Sequence, residues 1–444
     1  MTLTRQLAEF VITAQAGALA PFERELIRLH TFDAAIARVA GGASGEGARL
    51  RAVFGGGGAD AIGATAGIVR LTEMDDIHTG SNTTPTSAAA PVAFALYSSS
   101  GRDPREVENA IFVGVELLVR FGKAMDGARS FAKGFWPTRS AATLAACATA
   151  CRMLGLPVDR TQDALSLAMM SSAGLSGRFV REPSGRWIVF ANAVATGVRL
   201  ALAAREGFNS ADNVIDGAWM TSALGTAFDA DDMIRELGKG IGNGIGMGSV
   251  FPELSLKPYP TARQSLAPAE AMRRLVAQGL DTTAIQAVNV RVPGAHVAMI
   301  SAKMTPQARV SAFVSAAAQI ATAAVSPDDL YDVERRHVLH NPVIADLAAR
   351  VSIAAGPALE QDFPRIWGAE MDVQTAGGLH SITVRDAPGS PDNRLDEAAL
   401  TEKARRVLSW SGQGPRAQTL SDIARSMFVS DAATMAMADV FSQA

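Results

Sequence analysis

The stretch Ser98–Leu118, SSSGRDPREVENAIFVGVELL, indicates the fold class because it has the features of an amphipathic helix start. Ser and Asp residues and Pro104 come before an acidic first turn, and apolar side chains then recur at spacings of three and four. The same spacing returns between Gly-, Pro- and Ser-rich breaks from Leu3 to about Ala211. We therefore predict a large, all-helical first domain.

The composition limits the classes of protein to which the chain can belong. A chain of 444 residues is long enough for two or three domains with cores of their own. Its 41 Lys and Arg against 44 Asp and Glu leave a formal charge of −3, so we expect no nucleic-acid partner. Cys147 and Cys151 lie one helical turn apart in an Ala-rich stretch, which favours buried core residues over a redox pair or a zinc module.

The hydropathy pattern predicts a protein without a membrane partner. The first ten residues, MTLTRQLAEF, lack the basic start and apolar run of a signal peptide. The longest uncharged stretch, Val310–Pro327, contains Ser, Gln and Thr side chains and is typical of a buried helix. We therefore expect a cytoplasmic location.

The periodicity changes in the second half of the chain. Ala284–Pro293, AIQAVNVRVP, alternates as a strand does, and Met371–Pro388 predicts a β-hairpin that turns at Ala376-Gly377-Gly378. A helix pair is predicted around residues 306–325 and 341–353, and Asp396–Trp410 is helical again. We predict a mainly α protein: a helical domain over residues 1–255, a smaller α/β lid domain over 256–386, and a return to the helical domain over 387–444.

Four segments form a series of motifs along the chain: MDDIHTGSNTTPTSAAAPVAFAL (Met74–Leu96), GVRLALAAREGF (Gly197–Phe208), LKPYPTAR (Leu256–Arg263) and PGSPDNRLDEAALTEKARRVL (Pro388–Leu408). In this order they resemble motifs of the MmgE/PrpD family, which includes 2-methylcitrate dehydratase, cis-aconitate decarboxylase and iminodisuccinate epimerase. The resemblance implies a helical domain with a smaller α/β lid, usually a homodimer, an active site between the two domains, and chemistry on small polycarboxylates without a metal or organic cofactor.

Several positions depart from the family pattern. Thr84 and Trp136 occupy positions where the family has histidines, and Arg186 occupies that of a lysine. Most of the groups that transfer protons in the dehydratase and the decarboxylase are therefore replaced. Three further replaced positions are Ala262, Leu266 and Val314, and the retained residues are Asp75, Asp76, His78, Lys257, Tyr259 and Arg263.

His78 is the histidine that lies in a motif. A carboxylate as close as Asp76 raises the pKa of an imidazole and orients it, which suits a general acid or base. The alternative is that Asp76 and His78 bond to each other and only hold a loop. His296, near the end of a predicted strand, is interpreted as a residue away from the cleft.

Lys257 and three arginines are the candidate anion-binding groups. Lys257 could act as a base if its pKa were lowered, but a carboxylate clamp is favoured because Arg263 follows it, and an exposed hinge lysine is the alternative. Arg139 and Arg186 suit carboxylate binding, since arginine stays protonated. Trp136 adds a flat apolar wall, which favours a substrate with an apolar or ring portion.

Neither the acidic cluster near residue 75 nor the histidine pair near residue 340 predicts a metal site. Glu73, Asp75 and Asp76 lack further oxygen ligands at a suitable spacing, so a capped turn is favoured. His337 and His340 are interpreted as a solvated helix face because no third ligand is evident. We expect neither a metal nor a cofactor.

Together these residues predict a cofactor-independent lyase or isomerase that transfers a proton α to a carboxylate or carbonyl of a small organic acid. The alternatives are an epimerase or isomerase with an unusual, partly apolar substrate, and a non-catalytic binding or scaffold protein. Loss of the two family histidines weakens dehydration more than isomerisation, because dehydration must protonate a departing hydroxyl. The catalytic candidates are His78, Asp76 and Lys257, and the substrate-binding candidates are Asp75, Thr84, Trp136, Arg139, Arg186, Tyr259 and Arg263.

Overall fold

The computed structural model describes residues 1–172, 174–175, 184–216, 219–239, 248–305 and 308–442. The chain forms two compact units. Within the described residues, unit 1 consists of residues up to 254 together with 415–442, and unit 2 consists of residues 255–414. The mainly α class predicted from periodicity is confirmed.

Unit 1 is helical, and the helices that begin at Leu3, Gly45 and Pro104 each follow a residue whose side chain caps the helix. The side chain of Asp103 accepts a hydrogen bond of 2.8 Å from the Arg105 N–H, and Pro104 opens the helix as predicted. The first-part helices are α1 Leu3–Thr13, α2 Pro21–Gly42, α3 Gly45–Phe54, α4 Gly58–Arg70, α5 Thr86–Ser100, α6 Pro104–Ala124, α7 Gly127–Ala132, α8 Pro137–Leu154, α9 Val158–Met170, α10 Arg186–Arg205, α11 Trp219–Leu224 and α12 Asp231–Ile234, with a two-residue strand β1 at Ile77–His78.

Small residues let the central helices of unit 1 approach closely. A Cβ at Gly114 of α6 would lie 2.1 Å from the Thr149 hydroxyl of α8. A Cβ at Gly197 of α10 would likewise lie 2.3 Å from the Thr143 carbonyl of α8. A larger side chain at either position would clash with α8. Glycine therefore allows α6, α8 and α10 to pack this closely.

Helix α10 lies in the core of unit 1. It packs against α4, α8 and α9. Among the described helices of 18 or more residues, α10 alone has the length and hydropathy of a membrane span, and 56% of that window is buried in the protein. A core helix meets the same test, so the cytoplasmic location stays a prediction.

Unit 2 is built on a four-stranded sheet. Strand β2, Leu254–Ser255, lies where unit 1 ends and unit 2 begins. The sheet order is β4-β3-β5-β6, in which β3 runs parallel to β4 and antiparallel to β5, and β5 and β6 form the predicted hairpin. The elements are α13 Leu266–Ala277, β3 Ile285–Val292, α14 Gly294–Ile300, α15 Arg309–Val314, α16 Ala316–Val325, α17 Arg336–His340, α18 Pro342–Ala349, β4 Val351–Ala355, β5 Ala369–Thr375, β6 Gly378–Val384 and α19 Glu397–Trp410.

One predicted helix of this region is interrupted, and another ends earlier than its periodicity indicated. Within the first, Ser315 interrupts the helix because its hydroxyl caps a new one by accepting from the Ala318 N–H. The second ends at Ala349, and Val351–Ala355 instead joins the sheet as β4, paired in parallel with β3. Short β-branched and Ala-rich segments fit either state until tertiary pairing selects one.

Helix α19 belongs to unit 2, whereas the sequence analysis assigned residues 387–444 to the helical domain. Its Arg406 guanidinium stacks 3.9 Å from the Tyr331 ring centroid and donates to the Tyr331 hydroxyl at 2.8 Å. An amphipathic helix does not reveal in its sequence which core it covers.

The return to unit 1 begins at residue 415. It consists of α20, Arg416–Ser426, and α21, Asp431–Ser442. The Phe94 ring of α5 stacks on Phe428 at 6.4 Å and on Phe441 at 5.2 Å between centroids. The last two helices therefore complete the core of the first unit.

Candidate functional site

His78 is held by hydrogen bonds at both ring nitrogens. It lies at the end of β1 and is 2% exposed. Its Nδ1 accepts from the Ser81 N–H at 2.9 Å and lies 2.8 Å from the Ser81 hydroxyl, while Nε2 lies 2.8 Å from Glu253 Oε2. Because a backbone N–H can only donate, Nδ1 carries no proton, and the neutral ring donates Nε2–H to Glu253.

Glu253 is an ionised carboxylate between two basic groups. Its oxygens accept from Lys123 Nζ at 2.9 and 3.2 Å. Burial by itself raises the pKa of Glu253, but the hydrogen bond from His78 and the charge of Lys123 outweigh it and lower that pKa to about 2. Burial lowers the pKa of His78. The pair therefore consists of a neutral imidazole and a carboxylate that stays charged.

Glu253 also borders a cavity of unit 1 with a volume of about 350 Å³. Its side chain is 38% exposed, whereas that of His78 is 2% exposed. Glu253 therefore connects the buried imidazole to the cavity by a hydrogen bond. The other residues lining the cavity are Arg120, Lys123, Asp232, Arg235, Glu236, Lys239, Gly248, Ser249 and Val250.

Asp76 does not orient His78, contrary to the sequence-based prediction. Its carboxylate accepts from the Thr86 N–H at 3.2 Å and from the Thr86 hydroxyl, and it lies 2.9 Å from His30 Nδ1. Asp76, His30 and Thr86 are all buried. His30 of α2 and Thr86 of α5 occupy the Asp76 carboxylate, so closeness in sequence did not bring Asp76 into a hydrogen bond with His78. Asp76 instead anchors the start of α5.

Asp75 belongs to a buried group of ion pairs. Arg70 Nη1 lies 3.2 Å from Asp75 Oδ1 and 3.1 Å from Glu73 Oε2. Burial lowers the pKa of Arg70, but the Asp75 and Glu73 carboxylates outweigh it and raise that pKa. Glu73 has a positive φ of 55°, in the left-handed region, which turns the chain back towards Arg70.

Trp136 and Arg186, which replace a histidine and a lysine of the family pattern, contact each other. The Arg186 guanidinium lies 4.6 Å from the Trp136 ring centroid, and its Nη1 lies 3.6 Å from Glu73 Oε1. Both side chains are largely buried. The two positive and two negative charges of this group balance. We call it the arginine–tryptophan cluster; its members are Arg70, Glu73, Asp75, Trp136, Arg186 and Trp187.

Thr84 joins the first motif to the segment around Trp136, because its N–H donates to the Thr138 hydroxyl at 3.2 Å. Arg139 lies elsewhere. It borders a separate cavity of about 380 Å³, and burial lowers its pKa. Its cavity also contains Val53, Phe54, Asp60, Ile188, Val189 and Asn192.

The third and fourth motifs meet inside unit 2. The Leu256 N–H donates to the Gly389 carbonyl at 2.9 Å, and a Cβ at Gly389 would lie 2.2 Å from the Leu256 carbonyl. The adjacent Lys257 is 2% exposed, so it is not the exposed hinge lysine considered as an alternative. Tyr259 is buried with its ring edge against Tyr331 at 5.7 Å, and burial raises its pKa.

Arg263 and His296 lie against the same tryptophan of unit 2. Arg263 is 4% exposed, donates from Nη2 to the Ser390 hydroxyl at 2.7 Å, and lies 6.0 Å from the Trp367 ring centroid. His296 contacts that ring edge-on at 4.4 Å. The interpretation of His296 as a residue away from the cleft stays a prediction.

The sequence analysis missed Glu253 and His30 as partners. Both lie far along the chain from the motif that they contact, and neither carries a local pattern that marks it. The structure thus divides the candidate residues into the His78–Glu253 pair, the Asp76 anchor and the arginine–tryptophan cluster in unit 1, with Lys257, Tyr259 and Arg263 in unit 2.

The protein belongs to a mainly α class that has two units. The helical unit contains His78, and the α/β unit that follows it contains the Lys257–Arg263 segment. The model of the MmgE/PrpD N-terminal domain matches residues 5–228, and that of the MmgE/PrpD C-terminal domain matches residues 259–427. The chain therefore belongs to the MmgE/PrpD family. It is also 28% identical, over 158 residues, to the cis-aconitate decarboxylase-like protein oryM of Aspergillus oryzae. That match spans 34% of this chain and 33% of oryM, about a third of the relative's length.

Proposed function

We propose that this protein is a cofactor-independent lyase or isomerase that moves a proton at the carbon α to a carboxylate or carbonyl of a small organic acid. The observation that carries the proposal is the His78–Glu253 pair. A buried, neutral imidazole is a base whose lone pair lies on one known nitrogen, and a charged carboxylate on the other nitrogen stabilises the imidazolium that forms. Membership of a family that includes lyases agrees with it.

In this proposal a chain of buried hydroxyl groups carries the proton to His78. Ser81 Oγ lies 2.8 Å from His78 Nδ1 and 2.6 Å from Thr83 Oγ1. A proton that reaches the Thr83 oxygen lets Thr83 pass its own proton to Ser81, and Ser81 passes its proton to Nδ1. The Ser81 N–H must turn away as Nδ1 becomes protonated. Thr83 precedes Thr84, where the family pattern has a histidine, so the route ends beside that position.

Unit 2 has its own candidates for carboxylate binding. Lys257 and Arg263 are both buried basic residues of the KPYP segment. A cation that contacts the substrate carboxylate also stabilises the negative charge that develops when the α proton leaves. Arg186 is a weaker candidate than the sequence indicated, since Glu73 already balances its charge.

The arginine–tryptophan cluster favours isomerisation or epimerisation over dehydration. Dehydration requires an acid that protonates the departing hydroxyl, and Trp136 and Arg186 are unsuited to that step because neither gives up a proton near neutral pH. Isomerisation needs only a proton removed and returned. The His78 pair is sufficient for that chemistry.

Exchange of α protons in D₂O tests the proposal without knowledge of the leaving group. The protein is incubated with a panel of small mono-, di- and tricarboxylic acids, and ¹H NMR follows loss of the α-proton signal. We expect exchange with at least one acid, abolished in His78→Asn and retained in the surface variant Glu206→Gln. Acids that bind without exchange in the wild type would instead identify a binding protein.

A further inference from the structure

Unit 2 contains two buried arginines that differ in their hydrogen bonds. The guanidinium of Arg335 donates to the backbone carbonyls of Asp329 and Pro260, so it ties two segments of the fold together. Arg263 is buried to a similar degree but donates only from Nη2, to Ser390. Among the residues that the structure describes, Nε and Nη1 of Arg263 have no acceptor. Arg335 thus has the contacts of a structural arginine, and Arg263 does not.

A buried cation without a carboxylate partner destabilises the folded protein. Within the described residues no ion pair to Arg263 is present; Asp386 acts on it through space without a direct contact. Burial lowers the pKa of Arg263 to about 10, as it does that of Arg335, so the two arginines differ in their hydrogen bonds and not in this respect. Removal of the Arg263 charge is expected to leave the stability of the protein unchanged or to raise it.

His296, which contacts the same Trp367 ring, is a second buried polar side chain that has no hydrogen-bond partner among the described residues. It is 2% exposed, and no hydrogen bond to its ring nitrogens is present among the described residues. Its ring lies edge-on to Trp367 at 4.4 Å and to Phe363 at 5.3 Å. Burial, with the charge of Arg263, lowers the pKa of His296 to about 3, so the ring is neutral and can donate one hydrogen bond.

We propose that Arg263, His296 and Ser390 form a binding site for the carboxylate of a small organic acid, with Trp367 and Phe363 as its apolar wall. Arg263 supplies charge-assisted donors at Nε and Nη1, and Ser390 holds the guanidinium in place. A flat aromatic wall beside the cation favours an acid with an apolar or ring portion over a tricarboxylate. The proposal rests on the proposed function only in assigning this carboxylate to the substrate; binding itself requires no turnover.

Calorimetric titration of the full-length protein with benzoate and propionate, and with their neutral amides, tests the site. We expect the acids to bind and the amides to bind at least 10-fold more weakly, since the amide lacks the charge. Arg263→Gln is expected to weaken acid binding by about 10- to 100-fold, Ser390→Ala by a few-fold, and His296→Phe by a few-fold. The charge control is Arg405→Gln, whose guanidinium already pairs with Glu402 on the surface of unit 2.

The outcomes separate this site from the proposed function. Unchanged acid affinity in Arg263→Gln, or equal affinity for the amides, overturns the site, and equally tight inorganic phosphate overturns the assignment to a carboxylate. Acid binding through Arg263 without α-proton exchange leaves the site standing and removes only the enzymatic proposal. Arg263→Gln is also expected to melt at or above the wild-type temperature; a large fall in melting temperature in both Arg263→Gln and Arg263→Lys would show a structural arginine instead.

Discussion

A hydrogen bond of 2.8 Å joins His78 Nε2 to Glu253 Oε2, although 175 residues separate the two in sequence. Glu253 ends a short 3₁₀ turn, Phe251–Glu253, just before the chain leaves unit 1. Lys123 of α6 holds the same carboxylate from another direction. One of the two residues that hold the ring of the motif histidine His78 thus lies outside all four family motifs.

Replacing the carboxylate of Glu253 with an amide tests its role in proton transfer. Glu253→Gln keeps an oxygen for Nε2–H but cannot stabilise the imidazolium, so we expect kcat for the α-proton reaction to fall by about 10²-fold with little change in KM. Steady-state kinetics on an acid identified by exchange provide the measurement. Near-wild-type kcat would show that Glu253 only positions the ring or plays no part.

Asp76→Asn should weaken folding more than chemistry. Asp76 accepts from Thr86 and contacts His30 in a buried site, so the loss of its charge should lower the free energy of unfolding by about 2–3 kcal/mol. Urea denaturation measures this, with Asp159→Asn, an exposed partner of Arg5, as a control expected to change by under about 0.5 kcal/mol. Normal stability with lost turnover would return Asp76 to the catalytic residues.

Restoring the family histidine at position 136 should destabilise unit 1. Trp136 is 2% exposed and stacks with Arg186, so Trp136→His should cost about 2–4 kcal/mol, and Trp136→Phe less. A double-mutant cycle with Arg186→Met should give a coupling energy of about 1 kcal/mol. Additive effects would mean that the two side chains do not stabilise each other.

The depressed pKa of His296 predicts acid sensitivity. Its pKa is about 3 in the folded protein, below the ordinary value of 6.5, so the unfolded chain takes up the proton first. The stability contribution of this neutral ring is therefore complete above pH 6.5 and is lost as the pH falls towards 3. Between pH 7 and 4.5 the wild type should lose roughly 2 kcal/mol more unfolding free energy than His296→Phe. Parallel pH profiles for the two proteins would contradict this.

The homodimer stays a prediction, and the surface of unit 1 suggests where to test it. Val53 is 62% exposed, and Ile188 and Val189 are each 42% exposed around one cavity. If a second copy covers this apolar surface, Ile188→Asp should halve the molar mass found by light scattering, towards the 46.3 kDa of one chain. Leu379→Asp, at an exposed position of unit 2, should leave it unchanged. A wild type of 46.3 kDa would remove the prediction.

Local patterns predicted local structure well. The cap at Asp103, the strand Ile285–Val292 and the Gly378 hairpin depend on short-range spacing, and the structure confirms them. The assignment of α19 to unit 1 was wrong because the apolar face of a helix does not show which core the helix packs against.

The candidate site was predictable only in part. The motifs located His78 and Arg263, but the partners that define their chemistry, Glu253 and Ser390, are distant in sequence. Asp76 shows the converse error, since closeness along the chain suggested a bond to His78, whereas its carboxylate bonds His30 and Thr86, which are distant in sequence.

Unit 1 also sets an order of events during synthesis. Phe94 stacks on Phe428 and Phe441, and the Thr65 hydroxyl donates to the Phe441 carbonyl at 3.1 Å, so the first unit lacks part of its core until the last helices emerge. All of residues 255–414 leave the ribosome before then. At ordinary rates of translation, the apolar surface of the incomplete helical unit stays uncovered for roughly 10–40 s. We therefore expect a chaperone to bind this unit on the nascent chain.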